Sequence, residues 1–366
     1  LPEPPGRRHG GSPRSEGVTP TTHAQHTLRI LLRDVLKQVS RSFYLTLIVV
    51  PGRVRDQMGV AYLFARTADT IADTDLIDRG RRLECLNQFR DQFTGEHVHW
   101  DAVRGIQATL TPHQSESGER ALLERLEDCF RLYLEFLPGD RERIRQLMTT
   151  LTNGMVMDLT VFPGDSAHEV TALKTMADLD TYIYYVAGCV GEFWTEMMCA
   201  HLPSLARWDK HEMAKIGIRF GKGLQLTNVL KDVARDLQRG RCYLPATLLG
   251  EAKLEPKDLL QKEKLASLKP ILRILIASAR GHLDQGWRYT MAVPRREVRL
   301  RLACMWPILF AGETLQLVSA SPDLLDPTVN VKMTRGHVYR LMALTSLTGA
   351  CGVLWTAYWG RLRKRL

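Results

Sequence analysis

From His26 onward, apolar residues recur at spacings of three and four almost without interruption, the periodicity of amphipathic helices. The pattern predicts helices over 26–38, 53–73, 76–93, 119–136, 140–161, 170–200, 207–237, 256–290, 297–317 and 335–359. Turn chemistry falls at Pro51-Gly52, Pro138-Gly139, Pro163-Gly164, Pro203, Gly240 and Pro294. The stretch 94–118, with Gly95, Gly105, Pro112 and Gly118, reads as an extended connection. No convincing strand or hairpin signal interrupts the helices. Nor does any shift of composition divide the chain. The expected architecture is one all-α domain over 23–366. Residues 1–22, rich in Pro, Gly, Ser and charge, are expected to be disordered.

Two of these helices carry polar stripes inside otherwise apolar runs. Asp69 and Asp73 lie in ARTADTIADTD, and Asp232 and Asp236 in QLTNVLKDVARD. Carboxylates four residues apart project from one helical face, one above the other. On the first helix Tyr62, Arg66, Asp69 and Asp73 share an arc of roughly 60°. On the second, Gln225, Asn228, Asp232 and Asp236 span roughly 80°. One such pair on a surface helix is ordinarily just solvated. Two pairs with matching polar partners and apolar flanks are costly to bury unless a cation lies between them. Hard oxygen ligands that leave room for water and phosphate suit Mg²⁺. The stripes therefore point to a magnesium–diphosphate enzyme.

Composition narrows the field. The hydrophobic fraction of 45% and the charged fraction of 25% are those of a soluble globular protein. A net charge of +10 fits nucleic acid, an anionic substrate or an anionic membrane surface. Lys and Arg are spread along the chain without aromatic interleaving, which argues against nucleic acid. The 7 cysteines show no CxxC spacing and are expected to be free thiols in a reducing, cytoplasmic setting. The C-terminal segment 341–366 combines an uncharged stretch, Leu341–Trp359, with Arg361, Arg363, Lys364 and Arg365. Roughly 20 apolar residues are needed to span a bilayer, and the Thr, Ser and Gly here make a terminal core helix the better reading. A peripheral membrane contact with a Trp355, Tyr358 and Trp359 rim is the alternative.

Four stretches in order then resemble the squalene/phytoene synthase family, the head-to-head prenyl synthases. They are SRSFYL at 40–45, YLFARTADTIAD at 62–73, YIYYVAGCVG at 182–191, and QLTNVLKDVARDLQRGRCYLP at 225–245. The resemblance runs over roughly 26–345. It implies an isoprenoid-synthase fold with a central cavity and two aspartate-rich helices facing each other at its mouth. It implies that Asp69, Asp73, Asp232 and Asp236 hold Mg²⁺. Ser40, Arg41, Ser42, Tyr62, Arg66, Gln225, Asn228 and Arg241 would bind two prenyl diphosphates. Tyr182 and Tyr185 would line the site as catalytic tyrosines. The small residues of VAGCVG would either let a prenyl chain approach the backbone or pack helices tightly.

Within the family, TVNVKMTRGHVYRLM at 328–342 resembles the squalene-synthase pattern associated with NADPH, carried here by Lys332 and Arg335. No GxGxxG follows a strand, so NADPH would be held by basic side chains. Lys231 before Asp232, Thr334, and a DTIAD motif without an extra acid point to a bacterial type. The implied activity condenses two farnesyl diphosphates through presqualene diphosphate and reduces the product with NADPH. The alternatives are a dehydrosqualene or phytoene synthase type without reduction, and a non-catalytic homologue serving as a scaffold.

Overall fold

The computed structural model describes residues 30–40, 43–74, 76–348 and 351–366. The N-terminal segment 1–22, Arg41 and Ser42 lie outside those residues. After a π-helical turn at Ile30–Val35, the helices are α1 (Leu36–Ser40), α2 (Phe43–Val49), α3 (Gly52–Asp73) and α4 (Arg79–Thr94). There follow α5 (Trp100–Leu110), α6 (Ser117–Glu124), α7 (Leu126–Glu135) and α8 (Pro138–Val161). The second half holds α9 (Met176–Ile183), α10 (Cys189–His201), α11 (Lys210–Gln238) and α12 (Ala246–Glu251). It ends with α13 (Leu265–Ala292), α14 (Val298–Ala320), α15 (Arg335–Thr348) and α16 (Gly352–Arg363). The all-α expectation holds, with one small addition. Two-residue strands β1 (Thr171–Ala172) and β2 (Arg241–Cys242) pair in parallel.

The long helix α11 is the central post, packed on α10, α13 and α14, while α3 packs on α4, α8 and α10. Around α3 the apolar face gathers an aromatic cluster. The Phe64 ring lies 4.7 Å from Phe130 and 5.0 Å from Phe93, all fully buried. Burying each such side chain contributes roughly 1.5–3 kcal/mol. Leucine and isoleucine dominate the core shared by α11, α13 and α14. The seven cysteines are free, and most are buried.

Three expectations from periodicity are corrected. The stretch 94–118 contains a helix, α5, which buries Val103, Ile106 and Leu110 at spacings of three and four. Gly105 sits on its exposed side, where a glycine breaks nothing but weakens the local signal. The stretch 170–200 is not one helix: β1, α9, a π-helical turn at Tyr184–Gly188 and α10 divide it. The stretch 335–359 is two helices, α15 and α16, and neither approaches the length of a bilayer span. Trp359 stacks on Trp287 at 5.8 Å and donates its indole N–H to Asp284, and Leu362 lies over Gly312. That half of the C-terminal segment is core. Among the described residues α14 is the one helix long and apolar enough to cross a membrane. Its apolar window is 61% buried inside the protein, and it is a core helix.

Candidate active site

Between α3, α8, α10, α11 and α14 lies a cavity of about 560 Å³. Its body is apolar, walled by Met58, Leu147, Leu151, Val190, Phe193, Trp194, Phe220 and Leu224. Its mouth is charged. Asp69 and Asp73 reach it from the last turns of α3, and Asp232 and Asp236 from the last turns of α11. Tyr62, Tyr182, Gln225, Asn228 and Arg241 also line the cavity. The two stripes identified from spacing thus come together at one opening.

Arg241 is the link between them. Gly240, at φ 75°, reverses the chain just after α11, and pairing of β2 with β1 fixes the next residue. The Arg241 guanidinium then reaches back to Asp73 Oδ1 at 3.2 Å and Asp158 Oδ2 at 3.7 Å. Arg239 lies 3.9 Å from Asp73, and Asp232 is flanked by Lys231 at 3.1 Å and Arg235 at 3.3 Å. Behind Asp69, Arg66 pairs with it at 3.7 Å and donates to the Tyr62 hydroxyl at 3.2 Å, but does not itself line the cavity.

These carboxylates remain under strain despite their arginines. Asp69 is about half open to the cavity, yet its position deep in the molecule pushes its pKa up to about 7; Arg66 opposes this and Asp73 adds to it. Burial raises Asp236 to about 7, with repulsion from Asp232 adding and Arg241 opposing. Such a mouth favours an added cation. The donor set fits Mg²⁺ through hard carboxylate oxygens. Among the described residues no group of three or more Asp, Glu, His or Cys side chains forms a metal cage. An ion here would need further ligands from water and phosphate, the usual habit of Mg²⁺.

Four residues at or near the mouth were not singled out from the sequence. Asp158 on α8 accepts from Tyr243 at 2.9 Å and from Tyr182 at 3.5 Å, while its other oxygen is buried without a partner. Burial pushes Asp158 up to about 7, against Arg241 and the tyrosine hydrogen bonds. Tyr243 stacks on Tyr182 at 4.6 Å, and Arg239 lines the opening. Arg82, fully buried on α4, donates to the Ala72 carbonyl at the end of α3 and to Asp165 in the loop before β1. It braces one stripe against the loop before β1, the strand that pairs with the β2 residue Arg241. The sequence signal for Asp158 was a lone acid within the apolar run GMVMDLTVF.

Other expected residues lie elsewhere. The Tyr184–Gly188 π-turn shifts the register after Tyr182, and Tyr185 packs beside Gly154 of α8, outside the cavity lining. Ser40 is buried, its hydroxyl donating to the Leu36 carbonyl. Lys332 and Arg335 are exposed at the start of α15 and do not line the cavity. VAGCVG serves helix packing first. A methyl on Gly191 would overlap the Gly217 carbonyl, and one on Gly221 the Ala187 carbonyl. The same close contact leaves Ala187, Gly191, Gly217 and Gly221 on the cavity wall.

An all-α bundle around an apolar cavity with paired carboxylates at its mouth defines an isoprenoid-synthase fold. The squalene/phytoene synthase family model matches residues 36–337, and the chain belongs to that family. It is 24% identical to the squalene synthase of Cyberlindnera jadinii over 93% of this chain and 72% of that protein. It is 30% identical to a bifunctional lycopene cyclase/phytoene synthase of Gibberella fujikuroi, over 62% of this chain and 37% of that protein. A solved ligand complex of TcSQS superposes with a TM-score of 0.71 at 24% identity, covering 88% of this chain and 86% of that one.

Proposed function

We propose that the chain is a squalene synthase, joining two farnesyl diphosphates head to head through presqualene diphosphate and reducing the product with NADPH. The observation that carries the class of reaction is the apolar cavity whose mouth brings two carboxylate pairs together around Arg241. The product assignment is supported by the reach of the likeness. The squalene synthase relative matches 93% of the chain, against 62% for the phytoene synthase relative.

Asp69, Asp73, Asp232 and Asp236 would hold Mg²⁺, with Asn228 and Gln225 beside the second pair. When bound, the ion neutralises charge developing on the departing diphosphate. Arg241 and Arg239 are placed to do the same, and neither needs to give up a proton. The apolar walls keep water from a carbocation. With its hydroxyl donated to Asp158, Tyr182 offers the cavity its ring, which can stabilise a cation. NADPH, whose role is to supply hydride, would be held through its phosphates by Lys332 and Arg335.

A second reading, a dehydrosqualene or phytoene synthase type, draws on the position of Lys332 and Arg335 outside the cavity lining. One incubation separates the two. Farnesyl diphosphate and Mg²⁺, with and without NADPH, are analysed by mass spectrometry. Squalene formed in the NADPH arm alone supports the first reading; dehydrosqualene in both arms, or phytoene when geranylgeranyl diphosphate replaces farnesyl diphosphate, supports the second. No product from folded protein would sink both and favour a scaffold. Replacing Lys332 and Arg335 together by Ala should spare presqualene diphosphate formation. Losing two charge-assisted contacts should raise the NADPH requirement at least about tenfold. Equal loss of both steps would remove the cofactor role.

A further inference from the structure

Tyr182 owes its place in the cavity wall to the helix face it occupies. Residues two apart on a helix point to nearly opposite sides. Asp180 and Tyr184, which flank Tyr182 in the chain, therefore face outward where Tyr182 faces in, and neither lines the cavity. Immediately beyond Tyr184 the ordinary winding stops. The Cys189 N–H donates to the Tyr184 carbonyl five residues back, which closes the π-turn. Such a turn is an uncommon device that recurs at functional sites, and here one side chain of α11 reaches both of its flanks.

That side chain is Lys222. Its ammonium lies 2.7 Å from Asp180 Oδ2 and 5.6 Å from the centre of the Tyr184 ring. The Tyr184 hydroxyl is held in turn by Glu192 of α10 at 3.4 Å. The lysine stem runs past Gly188, the last residue of the π-turn. A methyl added there would stand 3.4 Å from Lys222 Cγ and 2.9 Å from the Tyr184 ring. The Lys222 side chain is 13% exposed, against 56% for Asp180. A lysine so covered is not a freely solvated surface charge: its stem packs and its head is directed. On α13 the neighbouring His282 is held down to about 4 by burial, with Arg219 and Lys222 adding, so it stays neutral and leaves Asp180 to the lysine.

We propose that Lys222 is a positioning residue, which clamps Asp180 and Tyr184 from outside and so aims the Tyr182 ring into the cavity. The proposal rests on the reading above in which that ring stabilises a carbocation. Lys222 does not line the cavity and acts through the register of one helical turn. Because it stands on α11, three residues before Gln225, it fixes that turn relative to the second polar stripe. A ring stabilises a cation within about 6 Å of its centre, so a small rotation of α9 is enough to lose the effect. A pair with a half-exposed acid adds little to global stability. Its loss should loosen the turn without unfolding the protein.

Lys222→Met keeps the stem and removes the charge. Amides of 184–188 should then exchange hydrogen at least about tenfold faster, with those of α3 and α13 unchanged. That measurement needs no turnover, so it judges the clamp even if the proposed reaction fails. With farnesyl diphosphate, Mg²⁺ and NADPH, kcat should fall at least about tenfold while KM stays within about twofold. Lys222→Arg should recover most of both changes, because a guanidinium can pair with Asp180 and stack on Tyr184. Asp180→Asn should reproduce part of the loss, and it tests the same pair if thermal unfolding shows Lys222→Met to be misfolded. In a Tyr182→Leu background, Lys222→Met should cost no further turnover. The proposal falls if exchange or kcat is unchanged, if Lys222→Arg is as slow as Lys222→Met, or if the losses in the double variant add. Full turnover in Tyr182→Leu alone would overturn the role given to the ring, and this proposal with it.

Discussion

At its mouth the cavity sets Asp69, Asp73, Asp158, Asp232 and Asp236 against Arg239 and Arg241; deeper in, α10 and α11 meet backbone to backbone through Gly191 and Gly217. The two regions are held in different ways. Deeper in, cohesion is intrinsic, because small residues let two helices approach and fill space. The mouth, by contrast, carries unrelieved repulsion and is kept together from outside, by Arg82 on the end of α3 and by the β1–β2 pairing that places Arg241. Stability should therefore reside in the deeper contact, and reactivity at the mouth. This is the usual trade in which a destabilised site is carried by a stable frame.

Substitution can test that separation directly. Asp69→Asn or Asp232→Asn keeps the shape of the mouth but removes a charge proposed above to hold Mg²⁺. Turnover with farnesyl diphosphate should fall at least about 100-fold, while thermal unfolding stays unchanged or moves up. Near-normal turnover with an unaltered metal requirement would end the two-stripe account. The opposite outcome is expected deeper in, from Gly191→Ala. The added methyl must push α10 and α11 apart, at a cost of about 1–3 kcal/mol or more, read as a lower urea midpoint. A variant as stable as the parent would mean that the helices do not touch there.

Arg82→Gln should show a smaller effect that bridges the two regions. Loss of its charge-assisted bonds costs about 1–3 kcal/mol, and loosening of the α3 end should raise the Mg²⁺ concentration giving half-maximal turnover. Asp165→Asn should reproduce part of both changes. If the bond between them is the cause, the double variant will be no worse than Arg82→Gln alone. Additive losses would make Arg82 an ordinary core residue, not a brace of the mouth.

Both aspartate pairs were legible from the sequence because i,i+4 spacing fixes a shared helical face before any tertiary contact forms. The all-helical architecture was legible for the same reason, since a 3.6-residue period is a local property. What periodicity missed depended on partners far away in the chain. Asp158 became a mouth residue because Tyr182, Arg241 and Tyr243 converge on it, and Arg82 became a brace because Asp165 lies 83 residues away. Tyr185 left the lining because one π-turn altered the register that simple spacing assumes. The segment 335–359 divided into two helices whose aromatic side chains found Asp284, Trp287 and Thr348, contacts no hydropathy pattern contains. The sequence by itself determined which faces are polar and that the fold is helical. Tertiary structure decided which of those faces meet, because packing and charge compensation depend on groups that the linear order keeps apart.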